Sequence, residues 1–278
     1  MTARSTTLRR IFGRGGEPVL QISAPTPFAA QMLEDAGIEY IYMGGNVTFE
    51  TMLGEGRAGD LTTAQKAGIA RSFVDAVSLP VMIGGEELSG RGPQQHVDAI
   101  RAYVDAGVAG LDVEDRRPPT GGAVELVAVD AVVANLRAMV DERRGLDPDF
   151  FLRVRSFALD GGETLSQLLD RLHAYEDVGA DMLYVAARQI TAEQITEIVA
   201  SVSKPVTIPG VSIDDASALG LAEARLPYEF LMAAHAAAWE HVNDVKARGQ
   251  VAADELRARY VGKDNRFMAS PGALRVYA

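Results

Sequence analysis

The chain has 278 residues, 47% of them hydrophobic, and a formal net charge of -11 from 27 Lys+Arg against 38 Asp+Glu. That length buries a full core in one large α/β domain, and so acidic a chain without a long basic run is a poor partner for nucleic acid or an anionic membrane. The absence of cysteine excludes disulfides, thiolate zinc sites and cysteine nucleophiles, and no apolar run approaches the roughly 18 residues of a membrane span.

Met1 to Gly16 carries Arg4, Arg9, Arg10 and Arg14 with no apolar stretch behind them. No secretory signal is read there, and the expected location is the cytoplasm. Thr7 to Phe12 predicts a short leading helix. Val19 to Ser23 reads as a first strand, and Pro27 to Gly37 as a helix with Thr26 at its N-cap. Ile38 to Met43 is a second strand that runs into Gly44-Gly45-Asn46. Val47 to Leu61 reads as a polar loop, and Thr62 or Thr63 caps a helix to about Val77.

Pro80 to Ile83 is a third strand, followed by Gly84-Gly-Glu-Glu and a helix from Pro93 to Ala106. Ala109 to Asp115 is a fourth strand in which Leu111 and Val113 alternate with Asp112 and Glu114. Helices are predicted over Val129–Arg144, Glu163–Val178, Thr191–Val202 and Ser212–Ala224. Between them lie strands at Phe150–Ser156, Met182–Ala186 and Pro205–Ile208. Tyr228 to Met232 is read as the eighth strand, Ala233 to Arg248 as a long final helix, and Ala252 to Tyr260 as one more before an irregular tail.

Eight short strands, each followed by a helix, predict an α/β fold: a single (β/α)8 TIM-type barrel over 1–278, with a C-terminal helical extension and tail from about 250. Asp35-Ala-Gly-Ile38, Asp105-Ala-Gly-Val108 and Asp177-Val-Gly-Ala180 repeat one helix-to-strand turn. An open doubly wound sheet is the weaker alternative, because no Gly-x-Gly-x-x-Gly follows any strand.

Active sites of such barrels lie at the carboxyl ends of the strands. The acids Glu86, Asp112 and Glu114 come together there from neighbouring strands, and hard oxygen ligands at that rim suit Mg²⁺ or Mn²⁺. Asp112 and Glu114 have a second reading, as partners of arginines on the next strand. Arg153 lies deeper and fits that structural role. Arg155, nearer the mouth, fits a carboxylate clamp opposite the Gly44-Gly45 amides. Of the histidines, His235 alone opens a helix beside the predicted mouth.

These residues carry a resemblance. Tyr42-Met-Gly-Gly45, Ala106-Gly-Val-Ala-Gly-Leu-Asp-Val-Glu-Asp115, Asp149-Phe-Phe-Leu-Arg-Val-Arg155 and His241-Val-Asn-Asp-Val resemble the isocitrate lyase / phosphoenolpyruvate mutase superfamily, in its methylisocitrate-lyase-like branch, over roughly Leu8 to Gly249. The resemblance implies an α/β barrel, a homotetramer that exchanges its last helix, and Mg²⁺ holding an oxyanion or enolate. It implies a C–C or P–C bond made or broken next to a 2-oxo or 2-hydroxy acid. Carried over by position, Glu114 matches the acid near the metal, Arg155 the substrate arginine, and Gly44-Gly45 the segment whose amides bind the carboxylate.

The chain departs from the family pattern elsewhere. The Asp-Ala-Asp metal segment reads Gly84-Gly85-Glu86, and the Lys-Lys-Cys-Gly-His lyase loop is replaced by Arg117 to Gly122. These departures weigh against isocitrate or methylisocitrate lyase itself, and the missing aspartates weaken the Mg²⁺ expectation.

The function expected is a divergent carbon–carbon lyase acting on a small anionic carboxylate through an enolate-like intermediate. Glu114, Arg155 and Asp112 are its expected catalytic residues. Tyr42, Gly44, Gly45, Asn46, Arg155 and His235 are the expected substrate contacts, and Glu86, Asp112 and Glu114 the expected metal ligands, with no organic cofactor. An oxaloacetate-like decarboxylase or C–C hydrolase, and a barrel that binds without turnover, stand as alternatives.

Overall fold

The structure is a computed structural model, which describes residues 3–54, 59, 61–88, 92–118 and 122–260, with only the backbone of Glu86, Glu87 and Tyr260. Chain contacts divide it into a unit ending at Tyr228 and a unit beginning at Glu229. The first unit contains eight parallel strands in the order β1-β8-β7-β6-β5-β4-β3-β2. They are β1 Val19–Gln21, β2 Ile41–Met43, β3 Val81–Glu87, β4 Gly110–Glu114, β5 Phe151–Ser156, β6 Met182–Val185, β7 Val206–Thr207 and β8 Glu223–Arg225. A parallel bridge between Ser23 and Tyr42, with Ala24 N donating to Tyr42 O at 3.1 Å, links the β1 and β2 segments. The expected α/β barrel is therefore the observed fold, with helices α1 Ala3–Gly13, α2 Pro27–Asp35, α4 Thr63–Ala76, α5 Pro93–Asp105, α6 Val129–Leu146, α7 Leu165–Val178, α8 Ala192–Ser201 and α9 Ile213–Ala218 around it.

Local sequence explains where many helices begin. Thr62, Thr164 and Thr191 each accept from the third residue on, and Gln65, Gln167 and Gln194 reach back, which makes three capping boxes. At the repeated helix-to-strand turns Gly37, Gly107 and Gly179 take positive φ (87°, 78° and 114°), the conformation that only glycine adopts without strain.

The barrel interior changes character from bottom to top. Leu8, Ile11 and Phe12 of α1 pack against Val19, Tyr40, Met82, Phe151 and Met182, so the lower end is an apolar plug. Above it the inward positions become Asp112, Arg153 and Glu223, all without solvent exposure. The alternate residues Leu111, Val113, Leu152 and Val154 are equally buried on the opposite face of the strands.

Two sequence expectations are corrected. The stretch 47–61 is not simply a polar loop. Gly45–Phe49 forms a π-helical turn that leads into α3 Glu50–Leu53, because Val47 and Phe49 bury their side chains and Thr48 Oγ1 donates to Ala24 O at 2.8 Å. The eighth strand is not Tyr228–Met232. It is Glu223–Arg225, and the helix before it stops at Ala218. A strand of Glu-Ala-Arg has no apolar run, and only a polar barrel interior lets it be buried. Tyr228 ends the first unit. The second begins with α10 Glu229–Arg248, followed by α11 Gln250–Tyr260, and Arg248 bonds to Asp244 and Glu255 within it. The tail from Gly262 lies outside the described residues. No described helix is long and apolar enough to cross a membrane.

One glycine is dictated by packing. A Cβ on Gly110 would stand 2.9 Å from both the Cβ and the carbonyl oxygen of Phe151 and 3.0 Å from Leu8 Cδ2. Gly110→Ala is expected to cost about 1–3 kcal/mol through overpacking. The urea midpoint should fall with an unchanged slope, and an unmoved midpoint would show that β4 has room to shift.

Candidate active site

Registration of β4 on β5 sets Asp112 opposite Arg153 and Glu114 opposite Arg155. The alternation of the strand turns both pairs inward, and β8 adds Glu223 and Arg225 from the other side of the ring. The result is one unbroken chain of ion pairs. Arg116 Nε meets Glu114 Oε2 at 2.7 Å, and Arg155 Nη1 meets Glu114 Oε1 at 2.8 Å. Arg155 Nη2 and Arg153 Nη2 share Asp112 Oδ2 at 2.6 and 3.1 Å. Arg153 Nη1 and Arg225 Nη1 share Glu223 Oε2 at 3.0 and 2.7 Å. Four arginines thus alternate with three acids, and an arginine stands at each end.

Tyrosines and a threonine complete the network. The Tyr42 hydroxyl donates to Asp112 Oδ2 at 2.8 Å, Thr207 Oγ1 donates to Glu223 Oε2 at 2.9 Å, and Tyr40 donates to Glu223. The guanidiniums also stack on rings. Arg155 and Arg225 lie 4.1 and 4.6 Å from the Tyr184 centroid, and Arg116 lies 4.1 Å from that of Phe157. A cavity opens over this chain, and Tyr42, Glu114, Arg116, Arg155, Tyr184 and Arg225 all line it.

The charges hold one another in place. Burial pushes the Asp112 carboxyl up, but the Arg155, Arg153 and Arg225 guanidiniums outweigh burial and leave it at about 2. Burial likewise raises Glu223, and Arg225 and Arg153 bring it below the ordinary carboxylate range. Burial, with the neighbouring Asp112 charge, pushes the Tyr42 phenol up to about 12, so it stays protonated at neutral pH.

Most of the expected site residues meet here. Gly44, Gly45 and Asn46 line the cavity beside Tyr42, Glu114 and Arg155. Asp112 is wholly buried beneath them. The Asp112 and Glu114 carboxylates do pair with arginines of the next strand, while Glu114 and Arg155 also face the cavity. Arg153 bonds to Asp112 and Glu223, with no bond to Glu114. Glu86 falls at a bulge. Gly85 takes φ 101°, Gly84 pairs in register with Asp112, and Glu86 pairs with Val113. Its side chain lies outside the described residues. His235 sits on α10 of the second unit.

The sequence of the family of phosphoenolpyruvate phosphomutases matches residues 8–246. The chain belongs to this family. It is 32% identical over 166 residues to a protein of Corynebacterium glutamicum called probable 2-methylisocitrate lyase 2, covering 58% of this chain and 52% of that one. It is 28% identical over 231 residues to the 2-methylisocitrate lyase of Escherichia coli, covering 78% and 75%. The chain thus spans about half the length of the first of these relatives. Among solved structures, the phosphoenolpyruvate phosphomutase of Streptomyces platensis subsp. rosaceus superposes with a TM-score of 0.79 at 25% identity, over 92% of this chain and 93% of that one.

Glu223, Arg225 and Tyr184 do not stand out in the sequence as site residues, although Glu223-Ala-Arg225 repeats the charge–apolar–charge spacing of Asp112-Val-Glu114 and Arg153-Val-Arg155. That shared spacing was the available signal. The described residues do not fit the Mg²⁺ that the superfamily implies. Asp112 Oδ2 accepts from Tyr42, Arg153 and Arg155, and the two Glu114 oxygens from Arg155 and Arg116. Asp112 Oδ1 has no hydrogen-bond partner and is buried beneath the cavity, and the side chain of Glu86, the third expected ligand, lies outside the described residues. Among the described residues no group of three or more His, Cys, Asp or Glu is placed to hold a metal ion.

The lowered Asp112 carboxyl ties stability to acid. A group held below its unfolded value stabilises the fold above that value and loses the effect as pH falls through the folded one. The stabilisation, about 2 kcal/mol, is therefore complete above about pH 4 and lost toward about pH 2. Asp112→Asn should cost roughly 3–5 kcal/mol at neutral pH, because it removes the buried charge that Arg153 and Arg155 share, and should flatten that acid limb in urea titrations. Equal slopes in the two proteins would show that Asp112 is not the group responsible.

Proposed function

We propose that this protein is a lyase that breaks or forms a C–C bond next to the carboxylate of a small 2-oxo or 2-hydroxy acid, through an enolate-like intermediate. One observation carries the reading: Arg155, Glu114, Tyr42 and the Gly44–Asn46 backbone meet at a single cavity on the carboxyl ends of the strands. Membership of the superfamily supports the same chemistry.

Arg155 and the amides at the start of the Gly45–Phe49 turn hold the substrate carboxylate. In the cleavage direction Glu114 accepts the proton of the 2-hydroxyl. The C–O bond becomes C=O, the adjacent C–C bond breaks, and its electron pair moves onto the departing carbon and into that carbon's own carboxylate as an enolate. Proton return to that carbon, from Glu114 or water, completes the reaction. Asp112 takes no proton in this scheme, since its carboxyl sits at about 2. It positions Arg155 and Tyr42. A preorganised donor aimed at the developing charge contributes about 3 kcal/mol, and Arg155 fills that role.

The protein is read as a cytoplasmic homotetramer. Exposed Trp239, Met232 and Val242 on α10 support assembly through that helix.

The test is a panel of small 2-oxo and 2-hydroxy acids followed by proton NMR in deuterated water. Wild type should cleave at least one 2-hydroxy diacid and wash deuterium into the released carboxylic acid at the carbon that leaves as the enolate. Arg155→Gln should lower both by roughly 100-fold, at the scale of one lost transition-state donor. Release of CO₂ alone would move the assignment to a decarboxylase. No exchange and no cleavage by folded protein would leave a barrel that binds without turnover.

A further inference from the structure

The chain of ion pairs ends at the mouth in an arginine with half a counter-ion. Arg225 is 5% exposed and lines the cavity. Its Nη1 donates to Glu223, and its buried Nε has no hydrogen-bond partner. Glu223 does not belong to it alone. Arg153 takes both Glu223 oxygens, at 3.2 and 3.0 Å, and Thr207 and Tyr40 donate to the same carboxylate. Four guanidiniums against three carboxylates leave one positive charge in excess within the chain. Uncompensated charge in a buried site is costly unless an ion of opposite sign arrives.

The Gly84 position on β3 shows what fills the space beside Asp112. A Cβ on Gly84 would collide with the Tyr42 hydroxyl, and Asp112 Cβ is 3.5 Å away. Gly84 begins the segment where the resemblance places the family's first metal-binding aspartate. The space such a side chain needs is taken by Tyr42, held there by Asp112 and by Arg155, whose Nη2 donates to the hydroxyl at 3.2 Å. A carboxylate at Gly84 and the Tyr42–Asp112–Arg155 arrangement are mutually exclusive.

We infer that Arg225 is the second anion anchor of this site, meeting an oxyanion of the bound acid in the role that a divalent cation has elsewhere in the superfamily, so that binding needs no metal. The ligand class is a small organic dianion. One carboxylate lies at Arg155 and the other negative oxygen lies at Arg225, both guanidiniums being packed on the Tyr184 ring. The inference rests on the reading of Arg155 as the first carboxylate anchor.

The experiment is calorimetric titration of EDTA-treated full-length protein with oxalate as the dianion and acetate as the single carboxylate, with and without added Mg²⁺. Oxalate should bind wild type in EDTA, and Mg²⁺ should leave its affinity within about twofold. Arg225→Gln should weaken oxalate by roughly tenfold or more and leave acetate unchanged, the loss expected for a charge-assisted contact. Arg225→Lys, which keeps a charge beside Glu223 and guards against misfolding, should recover part of the oxalate affinity. Equal oxalate binding by wild type and folded Arg225→Gln, or binding seen only with Mg²⁺, overturns the inference while leaving Arg155 in place. If Arg155→Gln leaves both ligands unaffected, or neither ligand binds wild type, the underlying reading of the site has failed, and this inference fails with it.

Discussion

Everything at the mouth of this barrel depends on a buried chain of alternating charges that runs from Arg116 through Glu114, Arg155, Asp112, Arg153 and Glu223 to Arg225. Taking any one of these groups out of water alone costs several kcal/mol. They are tolerated because each acid is shared by two arginines, and because Tyr40, Tyr42 and Thr207 supply further donors. Register is the precondition. A one-residue slip of β5 on β4 would turn Arg153 and Arg155 away from the acids and leave them unpaired against the helices.

The apolar plug of Leu8, Ile11, Phe12, Phe151 and Met182 makes this arrangement rigid. It closes the lower end of the barrel and leaves one polar face, which opens only at the carboxyl ends of the strands. Cations fixed there, partly screened from water and stacked on Tyr184 and Phe157, line the cavity with positive charge whose orientation the fold sets. The same side chains explain why a metal fits poorly among the described residues: the carboxylates a cation would use are already bonded to guanidiniums. Glu114, Arg116, Arg155 and Arg225 belong both to the network that stabilises the fold and to the lining of the cavity.

The chain order of strands and helices was legible at the level of single segments. Threonine caps with glutamine three residues on, and glycine at the helix-to-strand turns, act within a few residues and need no tertiary context. Val47 and Phe49 read locally as loop, because nothing in the neighbouring residues signals their burial. The eighth strand was misplaced for a related reason. Glu223-Ala-Arg225 has the composition of an exposed turn, and it becomes a strand only when the other strands supply Arg153, Thr207 and Tyr40 around Glu223.

The sequence by itself determined the βα repeat, the (β/α)8 architecture, the superfamily, and the placing of Asp112, Glu114, Arg153 and Arg155 on neighbouring strands, because these follow from local periodicity and motif. Only the tertiary structure decided that Arg225 closes the line of charges, that Tyr42 occupies the space beside Gly84, and that the acids at the rim are bound to arginines. Those outcomes depend on which residues the closed ring brings face to face across its interior. Electrostatic pairing over such separations in the chain is set by the closure of the barrel, which no local pattern encodes.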